Sequence, residues 1–246
     1  MNKHSIRILL EKISGYWFHK IIDLPIGTDL RSDITKRFNY NNVNIVFDVG
    51  ANRGQTFMQF NRDFPKSTIF CFEPINTTFA ILTKNLAGSK NAILENFAFG
   101  EIVEQKEVRL FEDWDVLNSL KEEAMNFSPD AEIQIVKVDT LDNYCSNKNI
   151  PEIDLLKIDT EGYELNVLKG AQTLLKRKNI SFIYCEVGFL KKNERNTNFA
   201  VVAEFLSLYD YYFIGMYNGT SEGWKQGLYY GNALFGHADL KTGNFI

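Results

Sequence analysis

The stretch that most constrains the fold is Asn44 to Gln55, N-I-V-F-D-V-G-A-N-R-G-Q. Ile45 to Val49 is short, β-branched and nearly unbroken in its hydrophobicity, as a parallel strand must be when helices cover both faces of its sheet. The run carries one acid, Asp48, and stops at a glycine turn, after which Thr56, Phe57, Met58 and Phe60 read as a helix. Strand, turn and helix in this order open an α/β sheet, and in such a sheet ligands bind beyond the carboxyl ends of the strands. Gly50 and Gly54 would remove side chains that keep a ligand off the backbone there. Ala51, Asn52 and Gln55 would then line the same turn.

Charge narrows what the turn can hold. The phosphate loop G-x-x-x-x-G-K-[ST] is absent, and G-x-G-x-x-G started at Gly50 meets Asn52 and Gln55 where its later glycines belong. Asp48 would repel a pyrophosphate but suit an ammonium group. A second buried strand, Thr68 to Pro74 (T-I-F-C-F-E-P), carries Glu73 to its end, roughly 20 residues past the glycine turn, where an acid takes the hydroxyls of a ribose. An adenosine with an amino-acid tail is S-adenosylmethionine, and Asp48 with Glu73-Pro74 specifies it better than either motif alone.

Further on, I-D-L-L-K-I-D reads as a fourth strand and T-E-G-Y-E-L-N-V-L-K-G-A-Q-T-L-L as one helix, with Leu165, Leu168 and Leu175 on one side and Gly170 packed inside. Lys157 and Asp159 share a face of that strand. A lysine in a central strand is costly unless its charge is paired, and Asp159 and Glu161 are the acids available. A fifth strand, Phe182 to Val187, contains Glu186, which should face Asp159 across adjacent strand ends. Asp159, Glu161 or Glu186 could take a proton from an acceptor, or Asp159 and Glu186 could hold a divalent metal, for which Lys157 would compete. His4, His19 and His237 lie outside these motifs.

V-F-D-V-G-A-N-R-G-Q-T, F-E-P-I-N-T-T-F-A-I-L-T-K-N-L, V-D-T-L-D-N-Y and D-L-L-K-I-D-T-E-G-Y-E-L-N-V-L-K-G-A, in this order, resemble the FkbM-type family of S-adenosylmethionine-dependent methyltransferases, from about Val43 to Glu186. The resemblance implies a Rossmann-like class I methyltransferase: a doubly wound, mostly parallel seven-stranded α/β sheet with an antiparallel last strand. It also implies a base pocket at the turn after the third strand (Ala92 to Phe97), near Asn96, Ala98 and Gly100, with Phe97 or Phe99 able to stack there instead. Ser119 would lie close to the cofactor. The implied reaction is methylation of a hydroxyl of a glycan, polysaccharide sugar or related secondary metabolite. Competing readings are a nicotinamide-dependent oxidoreductase, disfavoured by the missing glycines, and a cofactor-binding scaffold without catalysis.

The 246 residues suit a methyltransferase domain over 41–246 behind a helical extension, 1–40. Apolar positions at helical spacing from Ile6 to Leu24 (Ile6, Leu9, Leu10, Ile13, Trp17, Ile21) predict one amphipathic helix. Capping the core is its simpler role; peripheral contact with a membrane or partner is the alternative. Lys106 to Phe111 and Ile133 to Val138 predict an inserted strand pair, and the acidic, aromatic segment between them a lid. A formal net charge of -4 argues against nucleic acid as the main partner. Three scattered cysteines, no secretory signal and no apolar stretch approaching roughly 18 residues lead us to expect a cytoplasmic protein without a membrane span.

Overall fold

The computed structural model describes residues 3–14, 24–110, 132–190, 193, 195–221 and 227–240. α1 (Lys3–Ser14) comes first, and a short helix, α2 (Leu30–Ser32), continues as a π-helical turn over Asp33–Arg37 before β1 (Ile45–Val49). α3 (Gln55–Asp63), β2 (Thr68–Phe72), α4 (Asn76–Asn85) and β3 (Ala92–Glu95) follow, then β4 (Ala98–Phe99), β5 (Glu104–Leu110) and β6 (Glu132–Asp139). The remainder is α5 (Leu141–Lys148), β7 (Ile153–Ile158), α6 (Glu164–Lys169), α7 (Gln172–Lys176), β8 (Ile180–Gly188), α8 (Phe199–Ser207), β9 (Tyr211–Thr220) and β10 (Tyr230–His237).

The main sheet has seven strands in the order β3-β2-β1-β7-β8-β10-β9. β1, β2, β3, β7 and β8 pair in parallel, and β10 runs antiparallel to both β8 and β9. This is the doubly wound arrangement expected, with its antiparallel last strand. The chain order reverses between β1 and β7, which opens a crevice at their carboxyl ends.

Alternation along each strand divides the core into two layers. Phe47, Val49, Phe72, Leu156, Ile158 and Ile183 face one side, where Leu141, Val167 and Leu168 cover them. Val46, Ile69, Cys71, Leu155, Phe182 and Tyr184 face the other, under Phe57, Phe60 and Leu82. Asp48 and Lys157 belong by parity to this second, otherwise apolar layer.

The structure bears out the inserted strand pair and corrects two other expectations. The expected inserted pair, β5 and β6, is present, and Ala98–Phe99, which follows the expected third strand, pairs with β6 to make a separate three-stranded sheet. The helix after β7 is broken into α6 and α7: a Cβ at Gly170 would lie 2.0 Å from the Gly100 carbonyl oxygen, so two backbones touch at the break. The N-terminal extension also divides. Leu30 and Ile34 are buried beside Val46 and Tyr217, so residues 24–40 are built into the core. In α1, by contrast, Ile6, Leu9, Leu10 and Ile13 remain exposed instead of capping the core; Trp17 and Ile21 lie outside the described residues. Among the described residues no helix is long and apolar enough to cross a membrane.

Asp33 pins the built-in part. Its carboxylate accepts from the Gly27 amide at 2.9 Å and from the Tyr217 hydroxyl at 2.6 Å, and pairs with Arg37 at 3.2 Å. Asp33→Ala strands a buried hydroxyl and should cost about 1–3 kcal/mol, read as a lower urea midpoint at unchanged slope. An unchanged midpoint would mean that this network does not hold the segment.

Candidate active site

A cavity of about 380 Å³ lies beyond the carboxyl ends of β1, β2, β7 and β8. Gly50, Ala51, Asn52, Gln55, Glu73, Pro74 and Ala98 line one part of it, and Lys157, Asp159, Glu161 and Glu186 another. Of the other residues singled out from sequence, Asp48, Gly54 and Asn96 are not in its wall, and Ser119 lies outside the described residues.

Asp48 does not present its charge to a ligand. Its side chain is fully buried, and Lys157 Nζ lies 3.0 Å from Oδ1. Burial pushes the carboxyl above its ordinary range, and the Lys157 ammonium pulls it back. The ammonium that suits Asp48 therefore belongs to the chain. The two glycines also serve the fold. Gly50 has φ +79°, and a Cβ there would be 1.8 Å from the carbonyl oxygen of Asp159. Gly54, at φ +91°, would press its Cβ on Leu82 and Leu86 at 3.2 Å. Asn96 donates its amide to the carbonyls of Glu73 and Pro74, at 2.9 and 3.2 Å, and so shapes the wall without reaching the cavity. At Gly100 a Cβ would meet Val138 at 2.7 Å, so this glycine too is required by packing.

Glu73 stands in the cavity wall. Its Oε2 accepts from the Asn52 amide at 3.0 Å and its Oε1 from the Ile75 amide at 2.9 Å. Burial raises this carboxyl to about 7, against the pull of those amides. Asn52 adopts φ +48°, and its buried Oδ1 finds no hydrogen-bond donor among the described residues. Beside them, Phe97, Ala98 and Phe99 make an apolar wall, and Phe99 is also core, stacked on Phe47.

At the other end Lys157 meets Asp48, the Gly50 carbonyl at 3.1 Å and Asp159 Oδ2 at 3.4 Å. Burial would lower the affinity of this ammonium for its proton, but Asp48 and Asp159 outweigh burial and hold it charged. Glu161, expected as a partner of Lys157, instead forms an ion pair with Arg195. Glu186 accepts from the Asn196 amide. Its carboxyl is pushed up to about 8, first by burial and then by Asp159, Glu161 and Glu164.

Sequence reasoning missed Arg195 and Thr160, which also line the cavity together with Tyr230. It also missed Glu164, which is fully buried and accepts from the amides of Thr160, Gly162 and Thr197 at 3.0, 2.8 and 3.0 Å. The second acid of E-G-Y-E gave a signal for Glu164. Nothing in the spacing marks Arg195, which comes 34 residues after its partner. Among the described residues no group of three or more His, Cys, Asp or Glu side chains is arranged to hold a metal.

Residues 48–213 match the model of the methyltransferase FkbM domain. The chain belongs to the FkbM methyltransferase family. The chain is similar to "2-O-methyltransferase NoeI" of Sinorhizobium fredii (strain NBRC 101917 / NGR234), 26% identical over 160 residues, with 58% of this chain and 62% of the relative covered. "Methyltransferase 1" of Beauveria bassiana (strain ARSEF 2860) is 25% identical over 143 residues, covering 51% and 57%. The chain thus spans less than two thirds of the length of either curated relative. The crystal structure of methyltransferase FkbM from Methylobacillus flagellatus KT shares the fold, with a TM-score of 0.52 and 15% identity over 79% of this chain and 43% of that one.

Proposed function

We propose that the protein is an S-adenosylmethionine-dependent O-methyltransferase acting on a hydroxyl of a glycan or a related metabolite. The observation that carries this reading is one continuous cavity with a ribose-type acid, Glu73, in one part and the Asp159 and Glu186 carboxylates in another. The likeness to a 2-O-methyltransferase supports oxygen as the atom methylated. Three buried free thiols, Cys71, Cys145 and Cys185, agree with a reducing cytoplasm.

The residues present fit the cofactor. Glu73 keeps lone pairs beyond the two amides it accepts and would hold the ribose hydroxyls; the orphaned Asn52 Oδ1 offers a further acceptor. Phe97 and Ala98 supply an apolar wall for the base. When bound, S-adenosylmethionine supplies a methyl group on a cationic sulfur. The chain has to align the acceptor and take its proton. Asp159 is engaged by Lys157, whereas Glu186 is raised toward the working pH and so suits proton transfer. Arg195 and Tyr230 stand at the same end, where Tyr230 offers a sugar ring an aromatic face.

Titration calorimetry with S-adenosylmethionine and with NAD tests the cofactor, and radiolabelled methyl uptake by a panel of oligosaccharides and nucleotide sugars tests the acceptor. Binding of NAD alone would overturn the reading. Glu73→Ala should weaken S-adenosylmethionine by about 1.5–3 kcal/mol, the scale of hydrogen bonds to a charged group. It should also lower the melting temperature, because the Asn52 and Ile75 amides lose their acceptor. Unchanged affinity in a folded variant removes Glu73 from the cofactor site.

A further inference from the structure

The row of side chains that crosses the sheet beneath the cavity is Cys71, Asp48, Lys157 and Tyr184, each the register neighbour of the next. All four point into the second core layer, and all four are buried. One ion pair thus stands between a thiol and a phenol, in surroundings that solvate charge poorly. Such a pair is a weak stabiliser: taking two charges out of water costs about as much as their attraction returns, and apolar replacements of similar volume are often neutral or better. Stability therefore gives little reason for charge in this row.

The next row on the same face gives a better one. Asp159 lies two residues beyond Lys157, and Glu186 two beyond Tyr184. Because Ile158 pairs with Cys185, the register carries Asp159 opposite Glu186. Lys157 reaches from the buried row to Asp159, while Asp48 and the Gly50 carbonyl hold it from behind. Glu186 has a neutral donor, Asn196, and faces Asn232 across the strand pair.

Resting on the methyltransferase reading above, we propose that Asp48 and Lys157 are positioning residues: Lys157, aimed by Asp48, engages Asp159 and leaves Glu186 as the carboxylate that takes the acceptor's proton. The exchange is balanced. The hydroxyl proton passes to Glu186, the oxygen forms its bond to the methyl carbon, and the methyl–sulfur bond breaks with its electron pair left on sulfur. Asp48 lies outside the cavity wall, and Lys157 bonds the Gly50 carbonyl and Asp159. They act by setting the charge at which Glu186 works, in a field that also contains Asp159, Glu161, Glu164 and Arg195.

The test uses two paired replacements in the full chain, Asp48→Leu with Lys157→Met, and the milder Asp48→Asn with Lys157→Gln. Each protein, and its Glu186→Gln counterpart, is melted from pH 5 to 9, and the difference between the two curves isolates Glu186. In the parent, a carboxyl held above its unfolded value contributes stability that is complete below the unfolded value and lost as pH rises through the folded one, near 8. Removing the Lys157 cation should move the midpoint of this loss up by about one pH unit or more, with the melting temperature at pH 6 kept or raised. Lys157→Arg, which keeps the charge, should leave the midpoint in place. An unmoved midpoint in both paired variants overturns the proposal, and so does failure of both to fold, which would make the pair a requirement of the fold. Calorimetry of the parent with S-adenosylhomocysteine decides the functional reading separately: a parent that binds none fails that reading, whatever the midpoint does.

Discussion

Gly50→Val yields a protein that melts roughly 10–20 °C below the parent, the equivalent of about 3–6 kcal/mol for a chain of this size, and that no longer binds S-adenosylmethionine. Two costs add at one position. The backbone sits at φ +79°, a conformation a β-branched residue rarely adopts, and the new Cβ would start 1.8 Å from the Asp159 carbonyl oxygen, a backbone atom that cannot rotate away. Relief requires β1 and β7 to part where the Gly50 and Ala51 amides both bond the Phe72 carbonyl at 3.0 Å. Gly54→Ala is the control. Its φ is also positive, but its neighbours are leucine methyl groups at 3.2 Å that can give way, so about 1 kcal/mol is expected there. Equal melting temperatures for parent and Gly50→Val would show that the turn is not clamped between the two strands.

Glu186→Gln should lower turnover roughly 100-fold or more, the usual scale for a lost general base, and leave S-adenosylmethionine affinity within a few-fold. Shape and one hydrogen-bond acceptor survive the change; the proton site does not. In the parent, turnover should rise with pH as the Glu186 carboxyl, raised to about 8, loses its proton. Stability of the unliganded protein should fall over the same range, because the folded state binds that proton more tightly than the unfolded chain. Activity and stability thus run in opposite directions with pH, and Glu186→Gln should flatten both slopes. Turnover within a few-fold of the parent would pass the role of base back to Asp159 or to water.

Much of the fold is legible along the chain because it depends on local chemistry. Ile45 to Val49 and Thr68 to Phe72 announce buried strands by composition, and Gly50 announces the turn. The spacing from that turn to Glu73 placed an acid in the cavity wall. The break at Gly170 was not legible, since a glycine inside a helical pattern reads as packing until the Gly100 carbonyl is known to lie against it. The same holds for Ala98 and Phe99, which continue an apolar run but change sheets.

The sequence by itself determined which residues carry charge near the strand ends and, through the alternation of side chains, which face each takes: Asp48 with Val46, Lys157 with Leu155, Glu186 with Tyr184. Only the tertiary structure decided which charges meet. Lys157 lies 107 residues from the Gly50 carbonyl it binds, and β1 could have been flanked by other strands without any change in its own pattern. Parity is a property of one strand, whereas adjacency is settled by the packing of all of them. For that reason Asp48 reads from sequence as a ligand for a cofactor's ammonium, and in the folded chain it holds the ammonium of Lys157.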